Sequence, residues 1–390
     1  MVHQGSKMVD VSIRDIAAEA VRRGHPWVYR DQVEPFSDPI EGGKEVRVKC
    51  GKRVVGVGVW SGSSPIAIRV WSTVLEDLDA ILPVCLDRAL QRRDFSFSDG
   101  TTTAFRCLNG EADRAPGFVV DRYANAAVIR VDGDGAEARL AWMVRELWPR
   151  LHSRGVRTLA FRTPEKNLEA LCGDPPPLTV DVLEHGVPMR VDLHRGQKTG
   201  AFLDQRENRR RVRAMAGGRR VLNLFSYAGG FSLHAALGGA VSTTSVDIAA
   251  RAHKCAQESF ELAGVDLERH SFVTADAFEF LEKARSKKET WDLVISDPPS
   301  FAPSENAKPR ALAAYRKLHR ACAAVLAPHG ILCAASCSSH VTERDFTGTL
   351  DDVTLGRSDL CVRELHGLPE DHPTLAAWPE GRYLKLAVLQ

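Results

Sequence analysis

Four segments in the C-terminal half place small or acidic residues directly after short apolar runs. Residues 225–231 read Phe-Ser-Tyr-Ala-Gly-Gly-Phe, and Asp247, Asp276 and Asp297 end the next apolar runs along the chain. Glycines let a backbone approach a ligand closely, and a carboxylate about twenty residues further on can accept hydrogen bonds from a ribose diol. One such feature alone is more often structural, but the ordered set indicates a site for a ligand that carries a nucleoside.

The elements that must position these residues are short strands alternating with helices. Strands are predicted at residues 221–225, 242–247, 270–274, 291–296 and 330–336. This alternation predicts a parallel sheet with right-handed crossovers, and ligands of such sheets bind at the carboxyl ends of the strands. The glycine segment and the three aspartates therefore belong to one edge of one predicted sheet.

Composition narrows the class of protein. The 390 residues are 44% hydrophobic and 26% charged with a formal net charge of +2, which excludes a disordered or fibrous chain and predicts two or three domains. We find no apolar run of about 18 residues that could span a membrane and no signal peptide in residues 1–10. The nine cysteines have no C-x-x-C spacing, so we expect no disulfide framework, no metal site and a cytoplasmic location.

The first 74 residues are typical of a small β-rich unit, since β-branched runs alternate there with Gly and Pro. A helix is predicted at 12–23. The cluster that follows combines positive charge with an aromatic ring, and its candidate RNA-binding residues are Arg22, Arg23, His25 and Trp27. On these residues alone, a helix end with Trp27 in the core is an equally good interpretation.

Residues 75–190 show a mixed α+β pattern that begins with a helical run at 82–95. No cluster of residues in this region indicates a catalytic site. We therefore expect it to serve as a scaffold or as a docking surface for the substrate.

Residues 223–231, Asp247, Asp276 and the run Asp-Pro-Pro-Ser-Phe at 297–301 resemble the ordered motifs of class I S-adenosylmethionine-dependent methyltransferases. More narrowly, the chain resembles the RlmI-like bacterial family of 23S ribosomal RNA 5-methylcytosine methyltransferases. That similarity lies at residues 25–27, 110–113, 116–123, 198–206, 336–338, 371–373 and 379–381. The resemblance covers nearly the whole chain.

The resemblance implies an α/β fold in three parts, which agrees with the division by pattern. These parts are an N-terminal β-rich PUA-like RNA-binding domain (1–74), a small central α+β domain (75–190) and a Rossmann-like class I methyltransferase domain (191–390). It also implies S-adenosyl-L-methionine as cofactor and 23S ribosomal RNA as partner. The expected cofactor-binding residues are Phe225, Ser226, Tyr227, Ala228, Gly229, Gly230, Asp247, Ile248, Asp276, Ala277, Asp297, Lys198, Phe202 and Gln205.

The resemblance makes Cys337 the candidate nucleophile. Carbon 5 of cytosine is a poor nucleophile, and a thiolate that adds to carbon 6 makes it reactive enough to attack a methyl sulfonium. Asp297 is the second candidate catalytic residue, as a hydrogen-bond or proton donor to the ring nitrogen. Cys333, in the preceding strand, is predicted to be core.

The chain departs from the family pattern at several positions. Ser300 stands where many members carry Lys, and Asn223 stands where methyltransferases often carry an acid. The segment 297–301 also lacks the second cysteine that many RNA 5-methylcytosine enzymes use to release product. The group that removes the carbon 5 proton is therefore open, with Asp297 and a bound hydroxide as options.

Three other functions remain as alternatives. A ribosomal RNA guanine methyltransferase would need no thiol, and its activity would survive loss of Cys337. A small-molecule methyltransferase is compatible with the fold, because fold alone does not determine the substrate. A non-catalytic RNA-binding relic would have no reason to keep acids at the strand ends. The sequence leaves the oligomeric state open, with a homodimer as one option.

Overall fold

The computed structural model describes residues 8–354 and 357–390, which divide into two compact units. The first unit contains residues 8–180, 193–201 and 370–379, and the second contains residues 181–192, 202–369 and 380–390. The division predicted at residues 74 and 190 is a different partition, and it remains a prediction.

The elements up to residue 173 belong to the first unit. Its strands are β1 (Val9–Ser12), β2 (Trp27–Tyr29), β3 (Glu45–Cys50), β4 (Arg53–Trp60), β5 (Ile66–Ser72), β6 (Ala104–Asn109), β7 (Phe118–Tyr123), β8 (Ala126–Val131), β9 (Thr158–Arg162) and β10 (Leu168–Gly173). Its helices are α1 (Asp15–Arg22), α2 (Leu78–Ser96), α3 (Asp134–Glu137) and α4 (Leu140–His152).

The first sheet of this unit has the strand order β1-β3-β4-β5-β2, and β1 runs parallel to β3 while the other pairs are antiparallel. Helix α1 buries Ala17, Ala18 and Val21 in the core of this sheet. The helix is shorter than the predicted 12–23, because Ser12 pairs with Lys49 as the last residue of β1. The predicted β-rich character of this region is confirmed.

The second sheet has the order β10-β9-β8-β7-β6 and packs against α2 and α4. Helix α2 begins before the predicted residue 82, since the Asp77 carboxylate accepts a hydrogen bond of 2.9 Å from the Asp79 amide at its N-terminus. Buried ion pairs join Arg93 to Asp113 at 2.7 Å and Arg106 to Asp121 at 2.8 Å. The α+β pattern predicted here is therefore observed.

The remaining strands are β11 (Thr179–Glu184), β12 (Val187–Asp192), β13 (Arg220–Leu224), β14 (Ser242–Asp247), β15 (His270–Thr274), β16 (Trp291–Ser296), β17 (Leu326–Ser336), β18 (Val362–His366) and β19 (Lys385–Leu389). The remaining helices are α5 (Arg206–Met215), α6 (Gly230–Leu237), α7 (Ala250–Leu262), α8 (Ala277–Ser286), α9 (Lys308–Ala324) and α10 (Glu343–Gly348).

A seven-stranded sheet forms the centre of the second unit, in the order β15-β14-β13-β16-β17-β19-β18. Strands β13 to β17 are parallel to their neighbours among themselves, whereas β19 is antiparallel to both β17 and β18. Every strand predicted from residue 221 onward is present, and the Rossmann-like α/β arrangement is confirmed. The sequence did not predict β18 and β19.

Apolar side chains cover both faces of this sheet because the strands are buried on both sides. Leu222, Leu224 and Val294 face the cluster with α8 and α9. Val221, Leu293 and Cys333 face the cluster that includes α5 and α6. Cys333 is therefore a core residue, as predicted.

Between residues 8 and 354 and between 357 and 390, no helix is long and apolar enough to cross a membrane.

Candidate active site

The loop after β13 has a backbone that ordinary residues adopt only at a cost. Phe225 and Tyr227 have φ of 57° and 46°, and Gly229 has φ of 71°. Left-handed conformations cost non-glycine residues roughly 1–2 kcal/mol each, and such strain concentrates at binding sites. A Cβ on Gly229 would also lie 2.8 Å from the Cβ of Ala256, so only glycine fits this position.

Asp247, at the end of β14, connects two loops at the edge of the sheet. Its Oδ2 accepts a hydrogen bond of 2.8 Å from the Tyr227 amide, and its Oδ1 accepts one of 2.8 Å from the Ala249 amide. A carboxylate offers about four acceptor positions, so these bonds leave room for the hydroxyls of a ligand. The next residue, Ile248, is 76% exposed and presents apolar surface at the same edge.

Polar side chains lie beneath the strained loop. Asn223 Nδ2 donates to Ser232 Oγ at 2.9 Å, and Ser232 Oγ lies 2.7 Å from Ser245 Oγ. The side-chain amide of Asn223 thus stabilises the start of α6, and Asn223 stands where methyltransferases often carry an acid. Ser226 Oγ is buried and forms no hydrogen bond with the residues that the structure describes, which leaves one polar group of the loop available.

Asp276 has a structural role at the end of β15. Its Oδ1 accepts hydrogen bonds from the amides of Phe278 (2.8 Å) and Glu279 (3.1 Å) at the start of α8. Capping of this kind satisfies amides that the helix itself leaves unpaired. Its neighbour Ala277 is buried in the core. Asp276 keeps acceptor capacity on Oδ2, so contact with a ligand remains a prediction.

The segment before α5 belongs to the first unit up to Ala201 and to the second unit from Phe202 onward. Phe202 lies beside the loop, with its ring centroid 5.3 Å from that of Tyr227 at an interplanar angle of 88°. Gln205 is 3% exposed and accepts a hydrogen bond of 2.6 Å from Asn208, which points to a packing role. Lys198 belongs to the first unit and has a left-handed φ of 55°.

The structure brings Cys337 and the loop after β16 together. The Cys337 thiol lies 3.7 Å from the carbonyl oxygen of Pro298 and donates to it. Ser300 Oγ lies 3.0 Å from Ser338 Oγ, which joins the two loops a second time. Cys337 is partly exposed, unlike Cys333 in the strand before it. The partly exposed Asp297 precedes Pro298 directly, so both candidate catalytic residues belong to one small region.

Two residues of this region were missed from the sequence. The Tyr315 hydroxyl on α9 lies 3.1 Å from Ser338 Oγ, and burial raises the pKa of Tyr315. Lys385 on β19 is 4% exposed, and its Nζ donates to the carbonyl oxygens of Ser338 (2.7 Å) and Val341 (2.6 Å). A lysine inside the apolar run at 384–389 was the available signal, because lysine is almost never fully buried without a specific partner.

The candidate RNA-binding residues lie in the first unit. Arg22 and Arg23 are exposed and pair with Glu19 at 3.1 and 2.8 Å. Trp27 is only partly exposed, since its Nε1 donates to Glu111 at 2.8 Å and its ring lies 5.0 Å from that of Trp378. The tryptophan is thus anchored against neighbouring side chains, as the second interpretation expects, whereas contact of Arg22 and Arg23 with RNA remains a prediction.

His25 is oriented by the backbone of the same cluster, with Nδ1 lying 3.1 Å from the Trp27 carbonyl oxygen. Within the described parts of the chain, no group of His, Cys, Asp and Glu side chains is arranged to hold a metal ion.

Comparison with known proteins places the chain in a class of enzymes. A family model described as S-adenosylmethionine-dependent methyltransferase matches residues 147–364, and one described as a PUA-like domain matches residues 11–73. A putative S-adenosylmethionine-dependent methyltransferase structure from Streptococcus mutans, 25% identical, covers 98% of this chain with a TM-score of 0.88. The fold and the family match therefore define an S-adenosylmethionine-dependent methyltransferase.

Curated relatives narrow the assignment. A ribosomal RNA large subunit methyltransferase of Deinococcus radiodurans is 38% identical over 99% of this chain and 96% of its own length. The ribosomal RNA large subunit methyltransferase I of Aeromonas salmonicida is 34% identical over 95% of this chain and 96% of its own length. The chain belongs to this methyltransferase family, and its cofactor is S-adenosylmethionine.

Proposed function

We propose that this protein methylates 23S ribosomal RNA and forms 5-methylcytosine by way of a covalent adduct with Cys337. The observation that carries the proposal is the contact between the Cys337 thiol and the carbonyl of Pro298 beside Asp297. A nucleophile and a polar residue at the mouth of neighbouring strands suit attack on a base. The names of the relatives and the match to a PUA-like domain favour ribosomal RNA as the substrate.

The edge of the sheet fits the cofactor. Spare acceptor positions on Asp247 suit the ribose hydroxyls, and the exposed Ile248 offers an apolar surface to the adenine. The buried Ser226 hydroxyl and the loop around Gly229 suit the polar amino acid portion. The remaining proposed cofactor contacts are Phe225, Tyr227, Ala228, Gly230, Asp276, Ala277, Asp297, Lys198, Phe202 and Gln205. Bound S-adenosylmethionine would supply an electrophilic methyl group.

The chemistry of the chain itself begins at Cys337. Its thiolate forms a bond to carbon 6 of cytosine, and the electron pair of the 5,6 double bond becomes available at carbon 5. Asp297 donates a hydrogen bond or a proton to the ring nitrogen and so stabilises the charge that develops there. After methylation, a base removes the carbon 5 proton, and the electron pair returns as the carbon–sulfur bond breaks.

The target base must be unstacked before Cys337 can reach carbon 6, because this atom lies inside a base-paired stack. Arg22 and Arg23 are proposed to contact RNA phosphates, with His25 and Trp27 forming the adjoining surface.

The oligomeric state remains a prediction, and sedimentation of the purified chain distinguishes a homodimer from a monomer. All nine cysteines are free thiols, and the cytoplasm remains the expected compartment.

The experiment that tests the proposal uses the nucleoside product. Wild type, Cys337→Ala and the control Cys361→Ala are incubated with S-adenosylmethionine and ribosomal RNA from cells that lack the protein, and the digested RNA is examined by mass spectrometry. We expect 5-methylcytidine from wild type and Cys361→Ala, since Cys361 is an exposed thiol elsewhere on the chain. Cys337→Ala should lose at least about a thousandfold in rate, because a covalent route is removed.

Other products would replace the proposal with one of its alternatives. A methylguanosine formed by both wild type and Cys337→Ala would establish a guanine enzyme without a thiol nucleophile. Methylation of a small molecule but not of RNA would indicate a different substrate class on the same fold. Cofactor binding without any methylated product from RNA of intact or precursor ribosomal particles would favour a non-catalytic role.

A further inference from the structure

Lys385 carries a charge in a place where charge is costly. Its side chain is 4% exposed, and its ammonium donates to the carbonyl oxygens of Ser338 and Val341. In residues 8–354 and 357–390, no carboxylate oxygen lies within 4.0 Å of the Lys385 Nζ. Burial of an ammonium without a counter-ion is unfavourable, and carbonyl dipoles offset only part of this penalty.

The ammonium of Lys385 lies in a largely apolar environment. Apolar residues of the same face of the sheet surround this end of β19, including Val341, Phe346 and Ala387. Burial lowers the pKa of Lys385 to about 8, although the nearby thiol of Cys337 acts to raise it. An anion that formed close by would therefore compensate the charge.

Cys337 lies between two residues, Ser336 and Ser338, that Lys385 contacts. Lys385 lies directly opposite Ser336 in the antiparallel pairing of β17 and β19, and it binds the carbonyl of Ser338. The backbone of Lys385 thus pairs on one side of Cys337, and its ammonium binds the chain on the other side. Cys337, Asp345 and Glu343 each act to raise the pKa of Lys385, against the larger effect of burial. Asp345 is already paired with Lys308 at 2.8 Å.

We propose that Lys385 is a positioning residue whose buried ammonium stabilises the thiolate form of Cys337. The relevance of this to methylation rests on the proposed function, in which Cys337 is the nucleophile. An ordinary thiol is only a few per cent thiolate at pH 7, and a neighbouring lysine increases that fraction. Asp297 and Tyr315 are two further titratable groups of this region, since Asp297 and Cys337 both act to raise the pKa of Tyr315.

The pH profile of alkylation tests the proposal without cofactor or RNA. The full chain reacts with iodoacetamide between pH 5 and pH 10, and peptide mass spectrometry gives the rate at each cysteine. In wild type, Cys337 should reach half of its maximal rate at a lower pH than the exposed Cys361 in the same sample. A midpoint for Cys337 at or above that of Cys361 would overturn the proposal, and this comparison needs no variant.

Variants then assign the effect to the charge. In Lys385→Met the Cys337 midpoint should rise by about one pH unit, which is about a tenfold slower reaction at pH 7. Lys385→Arg should keep most of the wild-type profile, because it keeps a cation. Lys317→Met is the matched control, since Lys317 lies on the exposed surface of α9 over the ring of Phe278. A Lys385→Met profile that coincides with wild type in a folded chain contradicts the proposal.

The two proposals can fail separately. If the midpoint depends on Lys385 but Cys337→Ala still methylates RNA, the ammonium stabilises a thiolate that the reaction does not need. If Cys337→Ala is inactive but the alkylation midpoint of Cys337 is the same in wild type and Lys385→Met, Cys337 remains the nucleophile and the proposed role of Lys385 is wrong. Lys385→Met should also lower the rate of methylation more at pH 7 than at pH 9, where an unassisted thiol ionises by itself.

Discussion

At the scale of single residues, the acids of the site also hold the site together. Asp247 binds the amides of Tyr227 and Ala249, and Asp276 caps α8. Each carboxylate therefore has a structural use in the protein itself, before any ligand binds. Loss of such a residue changes the loop as well as the proposed ligand contacts, so binding and stability must be measured together.

Asp247→Ala should weaken binding of S-adenosylhomocysteine by at least about tenfold, because a hydrogen bond to a charged group contributes about 1.5–3 kcal/mol. Isothermal titration calorimetry measures this, and thermal unfolding reports the loss of the loop contacts. Asp292→Ala is the control, since Asp292 lies near the opposite, N-terminal end of β16. Equal affinity in wild type and Asp247→Ala would remove Asp247 from the cofactor site.

At the scale of elements, the turn from β13 into α6 depends on one glycine. Gly229→Ala places a methyl group 2.8 Å from the Cβ of Ala256 in a left-handed residue with φ of 71°. The conformation alone costs roughly 1–2 kcal/mol, and the overlap adds to this because α6 and α7 must separate slightly. The thermal midpoint should fall, and cofactor affinity should fall with it.

Gly264→Ala is a matched control for this substitution. Gly264 has φ of 67°, and no heavy atom lies within 4 Å of the Cβ that alanine would add. It therefore carries the same conformational cost without the overlap, and it should lower the thermal midpoint less than Gly229→Ala. If both variants unfold at the same temperature and bind cofactor equally well, close packing at Gly229 has no role in the site.

At the scale of the whole molecule, net charge says little about RNA binding. The chain has 52 Lys and Arg against 50 Asp and Glu, so affinity must come from a local surface. Replacement of Arg22 and Arg23 together by alanine should reduce the slope of log affinity against log salt by about 2, one for each phosphate contact. Filter binding of a ribosomal RNA fragment at several salt concentrations measures this slope.

The control for the arginine pair is Arg285→Ala with Lys287→Ala, at the end of α8. These side chains are also exposed and also paired with acids, Glu282 and Glu289. We expect their loss to leave the slope unchanged. An unchanged slope in the Arg22 and Arg23 variant as well would show that this surface does not contact RNA.

Local sequence pattern determined much of the fold and of the proposed cofactor site. The strands from β13 to β17 and the order of the loop, Asp247, Asp276 and Asp297 followed from short apolar runs and from what ends them. This succeeds because periodicity, turn residues and strand ends are properties of neighbouring residues. Parallel pairing then brings all strand ends of one kind to one edge, so linear order implies proximity.

Only the tertiary structure decided which side chains meet across long stretches of chain. Lys385 joins the loop of Cys337 through a bond to Ser338, 47 residues away, and Trp27 is anchored by Glu111, 84 residues away. The sequence by itself determined the class of fold and the order of the motifs, and the family resemblance supplied the candidate nucleophile. Burial of a lysine or exposure of a tryptophan depends on distant partners, and no local pattern encodes those partners.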